Sequence, residues 1–335
     1  MTTRPGAPSL GLTLPDPALE AELRDGLRQV EELLRTSVKS DYPFVTETSR
    51  HLVDAGGKRF RPLLVLLAAS FGDPHAPGVV PAAAVVELTH LATLYHDDVM
   101  DEAAQRRGVA SANARWDNTV AILTGDFLFA RASDLLADLG PEAVRIQART
   151  FERLVVGQIR ETVGPAPGED AVAHYLSVVA DKTGSLIATS GRFGAMLSGA
   201  EESVVDVLTG YGERIGVAFQ LSDDLLDVAS DADESGKTPG TDLREGVATL
   251  PVLHVRRSED PADVRLRQLL LGPISDDADH AEALQLLRAH PAMESARAEV
   301  RRCADEARGL LAGLPDISAR AALESLCDAV VERTG

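Results

Sequence analysis

The sequence predicts an all-α fold. Apolar residues recur at helical spacing over most of the chain, and no segment of useful length alternates apolar and polar residues as a strand would. Ala, Leu and Val dominate the composition, whereas aromatic residues make up only 4%. With 44% hydrophobic residues in 335, the chain can form a sizeable core. No change of composition marks its middle, so we expect one domain over residues 17–335, after a disordered segment at 1–16.

Six helices are predicted in the first half of the chain. Leu19, Leu23 and Leu27 fall on one helical face and predict the first of them. The glycine pair at 56–57 ends the second, and Pro62 can occupy the first turn of the third, where its missing N–H is not needed. The six are expected at 17–37, 42–54, 63–70, 81–102, 118–139 and 141–163.

The second half is predicted to be helical as well, with one long polar loop. Residues 172–198 form one helix or two, because the helical pattern is interrupted near 182–184. Residues 231–243 are polar, contain glycine and proline, and are too long for a tight turn, which is typical of an active-site loop. The remaining helices are expected at 201–227, 250–257, 261–271, 281–289, 293–312 and 319–332.

The charge balance excludes several classes of partner. The formal net charge is −19 and the pI about 4.8, which argues against nucleic acid and against electrostatic docking to an anionic membrane. The negative net charge does not exclude an anionic substrate that is held through metal ions, because bound cations reverse the local electrostatic field. Cys303 and Cys327 lack zinc-site spacing, and neither a signal-peptide segment nor an apolar run of membrane-spanning length is recognised. We therefore expect a cytoplasmic protein that is not integral to a membrane.

An acidic triplet is the first candidate for metal binding. Asp97, Asp98 and Asp101 follow the apolar run 85–95, where unpaired carboxylates would be costly. On a helix, Asp97 and Asp101 share a face, while Asp98 points about 100° away. Oxygen ligands without His or Cys suit a hard divalent cation that keeps water or a substrate phosphate in its other positions.

A second triplet repeats this spacing. Asp223, Asp224 and Asp227 follow the apolar run 215–221. Two triplets facing one another across a helical bundle would form a cage for a cluster of Mg²⁺ ions, and the natural guest of such a cluster is a diphosphate. The alternative interpretation is two unrelated acidic helix faces that are merely solvated.

A diphosphate also needs cationic partners, and two candidates precede the third helix. Lys58 and Arg61 lie at its predicted N-terminus, where backbone N–H groups favour an anion. The alternative is a basic cap on a surface loop. The pair therefore indicates a phosphate site only in combination with other motifs.

In combination, the motifs resemble those of the trans-isoprenyl diphosphate synthases, the polyprenyl synthetases, over about residues 20–335. No single motif is specific, but their number and order are. The resemblance implies the isoprenoid-synthase helical bundle around a central active-site cavity. It rests on Gly57-Lys58-Arg59-Phe60-Arg61-Pro62, His90, the two triplets, Arg106-Arg107-Gly108, Gly125-Asp126, Lys182-Thr183, Phe219-Gln220, Gly236-Lys237 and Asp242-Leu243-Arg244-Glu245-Gly246.

The resemblance implies head-to-tail (1'-4) condensation of isopentenyl diphosphate with an allylic diphosphate, which releases inorganic diphosphate. It also implies a homodimer. Three Mg²⁺ ions bridged by Asp97, Asp101 and Asp223 would neutralise the leaving diphosphate. The other triplet members would be additional or outer ligands: Asp98, Asp224 and Asp227.

The resemblance also assigns the cationic and polar residues. The catalytic group around the allylic diphosphate would be Arg106, Lys182, Thr183, Gln220 and Lys237. The metal-free diphosphate of isopentenyl diphosphate would be held by Lys58, Arg61, His90 and Arg107, and arginine suits this task because its planar fork binds two phosphate oxygens. The alternatives are a core histidine at 90 and a surface lysine at 182. Many members carry a further lysine where this chain has Val247.

Two small residues predict a long product. Members of the family with short products have an aromatic residue five or four positions before the first Asp, where this chain has Ala92 and Thr93. A ring there would block chain extension sterically. We therefore expect an all-trans product of about thirty carbons or more, suited to a quinone side chain, unless deeper residues such as Leu128 and Ala132 form the floor.

Three other functions stay open. A shorter-chain farnesyl or geranylgeranyl diphosphate synthase would share every motif. A terpene cyclase or head-to-head prenyl synthase would share the fold, but Lys58, Arg61 and His90 argue against it because they indicate a second diphosphate site. A non-catalytic subunit of a heteromeric synthase, or a metal-binding helical protein, would not need both triplets intact.

Overall fold

The computed structural model describes residues 16–229 and 239–334. It confirms the all-α prediction. The helices are α1 (Pro17–Ser37), α2 (Pro43–Asp54), α3 (Phe60–Ala69), α4 (Val79–Met100), α5 (Ala112–Arg115), α6 (Asn118–Leu139), α7 (Pro141–Val163), α8 (Ala171–Val179), α9 (Ser185–Leu197), α10 (Glu202–Ala229), α11 (Thr241–Glu245), α12 (Leu250–Arg257), α13 (Val264–Leu269), α14 (Asp277–Ala289), α15 (Pro291–Leu311) and α16 (Ser318–Glu332). A π-helical turn (Ala180–Gly184) joins α8 to α9, and a 3₁₀ turn (Pro261–Asp263) precedes α13.

Most predicted helices are confirmed to within a few residues. The predicted interruption near 182–184 is the π-helical turn. Sequence reasoning missed α5 and the short hairpin of β1 (Gln105–Arg106) and β2 (Val109–Ala110). The loop prediction at 231–243 was wrong at its end, where α11 begins at Thr241, and its residues up to 238 lie outside the described part of the chain.

The described residues cluster in two compact units. The first comprises the chain through Phe151, together with Leu186–Gly212 and Gly313–Leu323. The second comprises Glu152–Ser185, Glu213–Ala312 and the chain from Glu324 onward. The single domain over 17–335 stays a prediction, and so does the disordered segment, since 1–15 lies outside the described residues.

Helix α4 forms the centre of the first unit and packs against α1, α3 and α6. Its side chains are buried from Val79 to Ala92, except those of Val80, Pro81 and His90, which are half-buried. The contact with α6 is close: a Cβ on Gly125 would lie 2.4 Å from His96 Nε2 and 3.1 Å from the Ala92 carbonyl oxygen. A side chain at this position would have to displace the His96 ring, so glycine favours the close approach of α6 to α4.

The second unit has its own core. Helix α12 packs against α8 and α15, and α14 packs against α13 and α15. The α15 face consists of small and medium side chains such as Val300, Cys303 and Ala307, each at most 1% exposed. None of the described helices is both long and apolar enough to span a membrane.

Candidate active site

The first acidic triplet lies at the C-terminal end of α4. Asp98 is fully buried, whereas Asp97 is half-buried and Asp101 is exposed. Arg106 Nε donates to Asp98 Oδ1 at 2.5 Å, and Arg106 Nη2 lies 3.8 Å from Asp101 Oδ2. Asp98 Oδ2 is buried without a donor among the described residues. Burial raises the pKa of Asp98, and the Arg106 guanidinium opposes this rise.

A tight hairpin brings Arg106 to this triplet. Arg106 pairs with Val109 across β1 and β2, and the two turn residues, Arg107 and Gly108, have φ of 53° and 76°. Positive φ at both turn residues is the type I′ geometry, which matches strand twist. The turn sends Arg106 toward Asp98 and Arg107 toward Glu87. The Arg-Gly pair therefore has a structural role that sequence reasoning missed.

A cationic cluster lies beside α4 in the same unit. Burial lowers the pKa of His90 well below its usual value, and the nearby charges of Arg61 and Arg107 lower it further. Both effects favour the neutral form of His90, which faces positive charge. Lys58 is exposed next to this cluster in sequence, and Arg61 lies in the first turn of α3. Four residues predicted to bind isopentenyl diphosphate, Lys58, Arg61, His90 and Arg107, are thus on adjoining elements.

Buried acidic residues hold part of this cluster, and sequence reasoning missed them. Arg59, at φ 49°, donates from Nε to Glu31 Oε1 at 2.5 Å and from Nη1 to Glu87 Oε1 at 2.6 Å. Arg107 Nη2 lies 3.6 Å from the same Glu87 oxygen, and Arg107 Nη1 donates to the Leu52 carbonyl at 3.1 Å. The sequence did contain a signal for these buried ion pairs, because Glu87 is a lone charge within the apolar run of α4 and therefore requires a partner.

Glu87→Ala is expected to lower the free energy of unfolding by about 3 to 5 kcal/mol, because it leaves the buried Arg59 guanidinium without its best-buried partner. Chemical denaturation measures the loss. Glu31→Ala is the matched control and should cost less, since the Glu31 side chain is 18% exposed against 2% for Glu87. Equal losses would show that Glu87 has no special role.

The middle Asp of the second triplet belongs to an internal hydrogen-bond chain in the second unit. Thr183 Oγ1 donates to Gln220 Oε1 at 3.0 Å, and Gln220 Nε2 donates to Asp224 Oδ1 at 2.8 Å. The Tyr175 hydroxyl donates to Asp224 Oδ2. Burial raises the pKa of Asp224 to about 6, although both donors lower it. Thr183 and Gln220, predicted as catalytic, are therefore linked to the triplet, and Tyr175 is a partner that sequence reasoning missed.

Asp224 should make stability depend on pH. Its pKa is higher in the folded chain than in the unfolded one, so the folded state binds the proton more tightly and stability falls as pH rises from about 4 to about 6. Asp224→Asn is expected to remove about 1 to 3 kcal/mol of this fall. Urea unfolding of the metal-free protein at pH 4.5 and 7 measures it, with the exposed Asp138→Asn as control. An unchanged pH dependence would contradict the raised pKa.

The other two carboxylates of the second triplet also have protein partners. Asp227 accepts from the backbone N–H groups of Thr241 at 3.2 Å and Asp242 at 3.0 Å, and so caps the N-terminus of α11. Asp223 accepts from Arg333 Nη2 near the C-terminus of the chain. Arg333 was not predicted, because 110 residues separate it from its partner.

The predicted allylic clamp is only partly described. Lys182 lies in the π-helical turn, a feature frequent at functional sites, and its Nζ is 2.6 Å from Glu161 Oε2. Lys237 lies outside the described residues. The chain-length candidates are on α4: Ala92 is fully buried, and Thr93 Oγ1 donates to the His90 carbonyl at 2.8 Å.

The donor chemistry fits a hard cation, although the described part of the chain contains no preformed metal cage. Among residues 16–229 and 239–334, no three His, Cys, Asp or Glu side chains are grouped as metal ligands. The candidates are all carboxylates, and Asp98 presents a buried oxygen with no hydrogen-bond donor from the described chain. The triplets lie in different units, Asp97–Asp101 in the first and Asp223–Asp227 in the second.

Comparisons with known proteins identify the family. Residues 42–287 match the family profile described as polyprenyl synthetase. The chain is 52% identical to nonaprenyl diphosphate synthase of Mycobacterium tuberculosis over 97% of each chain, and 45% identical to dimethylallyltranstransferase of the same organism over 95% of this chain and 97% of that one. The crystal structure of geranylgeranyl pyrophosphate synthase from Corynebacterium glutamicum, complexed with calcium and isoprenyl diphosphate, is 48% identical, covers 97% of this chain and 100% of that one, and has a TM-score of 0.87. The chain therefore belongs to the polyprenyl synthetase family of prenyltransferases.

Proposed function

We propose that the chain joins isopentenyl diphosphate to an allylic diphosphate, head to tail, and builds an all-trans polyprenyl diphosphate of about thirty carbons or more. In each round a bond forms between C1 of the allylic substrate and C4 of isopentenyl diphosphate. Diphosphate leaves, and a proton is lost from the coupled intermediate. The observation that carries this proposal is the proximity of His90 to Arg61 and Arg107, in the unit that also holds the first acidic triplet.

A condensing enzyme needs two diphosphate sites, and the chain offers two chemically different ones. The cluster around His90 supplies positive charge directly, so it can hold a diphosphate without metal. The carboxylates cannot, because they repel an anion unless cations bind first. A terpene cyclase uses a single diphosphate substrate and has no need of the cationic cluster. The cluster therefore favours two-substrate condensation.

Divalent cations, Mg²⁺ in this proposal and three in number, would be held by residues of the two triplets. They would supply charge neutralisation for the leaving diphosphate. The donor set is hard oxygen throughout, and the Corynebacterium relative was crystallised with calcium and isoprenyl diphosphate. The ligands we propose are Asp97, Asp98, Asp101, Asp223, Asp224 and Asp227.

The chain's own residues have separate tasks in this reaction. Lys58, Arg61, His90 and Arg107 would bind the diphosphate of isopentenyl diphosphate, and Glu87 holds Arg107 in place. Arg106, Lys182 and Lys237 would bind the allylic diphosphate. Arg106 pairs with Asp98 and Lys182 with Glu161, so each would exchange a carboxylate partner for phosphate oxygens when the substrate binds. Thr183 and Gln220 would position the allylic group through their mutual hydrogen bond.

The test is an incubation with Mg²⁺, isopentenyl diphosphate and farnesyl diphosphate, followed by sizing of the dephosphorylated products. A ladder that ends at one long all-trans alcohol supports the proposal. A product ladder that ends at twenty carbons would instead identify the chain as a geranylgeranyl diphosphate synthase. This is the second candidate, because the 48% identical Corynebacterium relative is a geranylgeranyl pyrophosphate synthase. Cyclic or head-to-head hydrocarbons would overturn condensation. Absence of turnover with every allylic primer would show that a further subunit is needed.

We also propose that the chain acts as a homodimer in the cytoplasm. Helix α6 exposes two large apolar side chains next to one another, Ile122 at 42% and Leu123 at 60%. Such residues on one exposed helix are suited to pairing with a second copy. Light scattering of the purified chain should give twice the monomer mass, and Leu123→Glu should shift it toward the monomer.

A further inference from the structure

The C-terminal arginine interacts with a carboxylate of the second triplet. Arg333 Nη2 donates to Asp223, and the guanidinium carbon lies 4.9 Å from the centre of the Phe219 ring. Phe219 and Asp223 are four residues apart on α10 and therefore share a face. The guanidinium thus covers one turn of this face, where it has both an ionic and a cation–π partner.

The chain around Arg333 fixes this position. Arg333 N–H donates to the Ala329 carbonyl at 3.3 Å and so extends α16 by one residue. Arg297 Nε donates to the carbonyl of Thr334 at 2.6 Å, and the Thr334 hydroxyl donates to the Val331 carbonyl at 2.8 Å. Thr334 is only 5% exposed. The Arg333–Asp223 pair is therefore part of the folded second unit.

Asp223 differs from the other two members of its triplet in the kind of partner it has. Asp227 caps backbone N–H groups, and Asp224 accepts from Tyr175 and Gln220, which are neutral. Asp223 is paired with a full positive charge at the end of a long, flexible side chain. A cation and a guanidinium cannot both occupy the same face of one carboxylate, because they repel each other and compete for the same lone pairs.

We propose that Arg333 is a built-in counter-ion of the metal site, which pairs with Asp223 and leaves it when a divalent cation binds. This inference rests on the proposed function, in which Asp223 is a metal ligand. Between turnovers, the pair neutralises a carboxylate that is needed only during turnover.

The exposure of the pair sets the size of the effect. The Arg333 and Asp223 side chains are 26% and 38% exposed, so water and salt screen the pair substantially. Removing the competing charge should therefore strengthen binding of a divalent cation by about 3- to 10-fold. The change should be smaller at high ionic strength, because salt already weakens the ion pair.

The experiment is a calorimetric titration of the full chain with Mg²⁺ in the presence of saturating inorganic diphosphate. Arg333→Gln removes the charge and keeps a hydrogen-bond donor, and Arg333→Lys keeps the charge. Arg301→Gln is the matched control for net charge, because Arg301 lies in the same unit and pairs with Glu294 on the exposed face of α15. Thermal melting of each metal-free variant verifies folding.

Tighter Mg²⁺ binding by Arg333→Gln, with Arg333→Lys and Arg301→Gln at the wild-type value, supports the proposal. Unchanged binding by Arg333→Gln overturns it, and so does an equal gain in Arg301→Gln, which would reveal a general charge effect. Weaker binding by Arg333→Gln also overturns it, because Arg333 would then assist the bound complex. A wild-type chain that binds no Mg²⁺ even with diphosphate overturns the proposed function, and this inference with it.

Discussion

Asp97→Asn is expected to lower kcat for chain elongation by about 100- to 1000-fold, with the folded structure retained. Asparagine has the shape of aspartate but no negative charge, so it would bind the proposed cation, which stabilises the leaving diphosphate, less tightly. Asp97 is only half-buried at the end of α4. The measurement is steady-state turnover of isopentenyl and farnesyl diphosphates at saturating Mg²⁺, together with thermal melting.

Two further variants make this result interpretable. Asp138→Asn removes an equal charge from an exposed site on α6 and should leave kcat unchanged. Asp98→Asn should lower both kcat and stability, because Asp98 is fully buried and holds Arg106. An Asp97→Asn variant with wild-type kcat would remove Asp97 from the proposed metal site.

Ala92→Phe is expected to shorten the product from about thirty carbons or more to about twenty or fewer. Ala92 is fully buried on α4, one turn before the first triplet, and its carbonyl lies against Gly125 of α6. A phenyl ring is much larger than the methyl group it replaces, and in the proposed function it would occupy space into which the product chain grows. We also expect overpacking to cost about 1 to 3 kcal/mol of stability.

A graded series separates the two effects. Ala92→Val, Ala92→Leu and Ala92→Phe should give progressively shorter alcohols after dephosphorylation, while melting temperature reports the packing cost independently. Product length that stays constant in a folded Ala92→Phe variant would contradict a floor at this position. The floor would then have to lie deeper, at buried α6 residues such as Leu128 or Ala132.

Much of the fold was predictable because local sequence carries it. Several long helices show an apolar face at 3.6-residue spacing, and caps or prolines mark their ends, so α1, α6 and α7 were predicted with their observed limits. The short hairpin was missed because it depends on the turn at Arg107-Gly108 and not on periodicity, and α5 was missed because its four residues are too few to show a helical period. The acidic spacing likewise identified two triplets without any coordinates.

The sequence by itself therefore determined the helical class, the order of the helices and the residue types available for binding a diphosphate. Only the tertiary structure decided which charge meets which. Arg106 reaches Asp98 through the hairpin, Glu87 meets Arg59 across 28 residues, and Arg333 meets Asp223 across 110. No local pattern encodes these pairings, because a charged side chain takes the partner that folding brings within reach, and burial then sets how strongly the pair interacts.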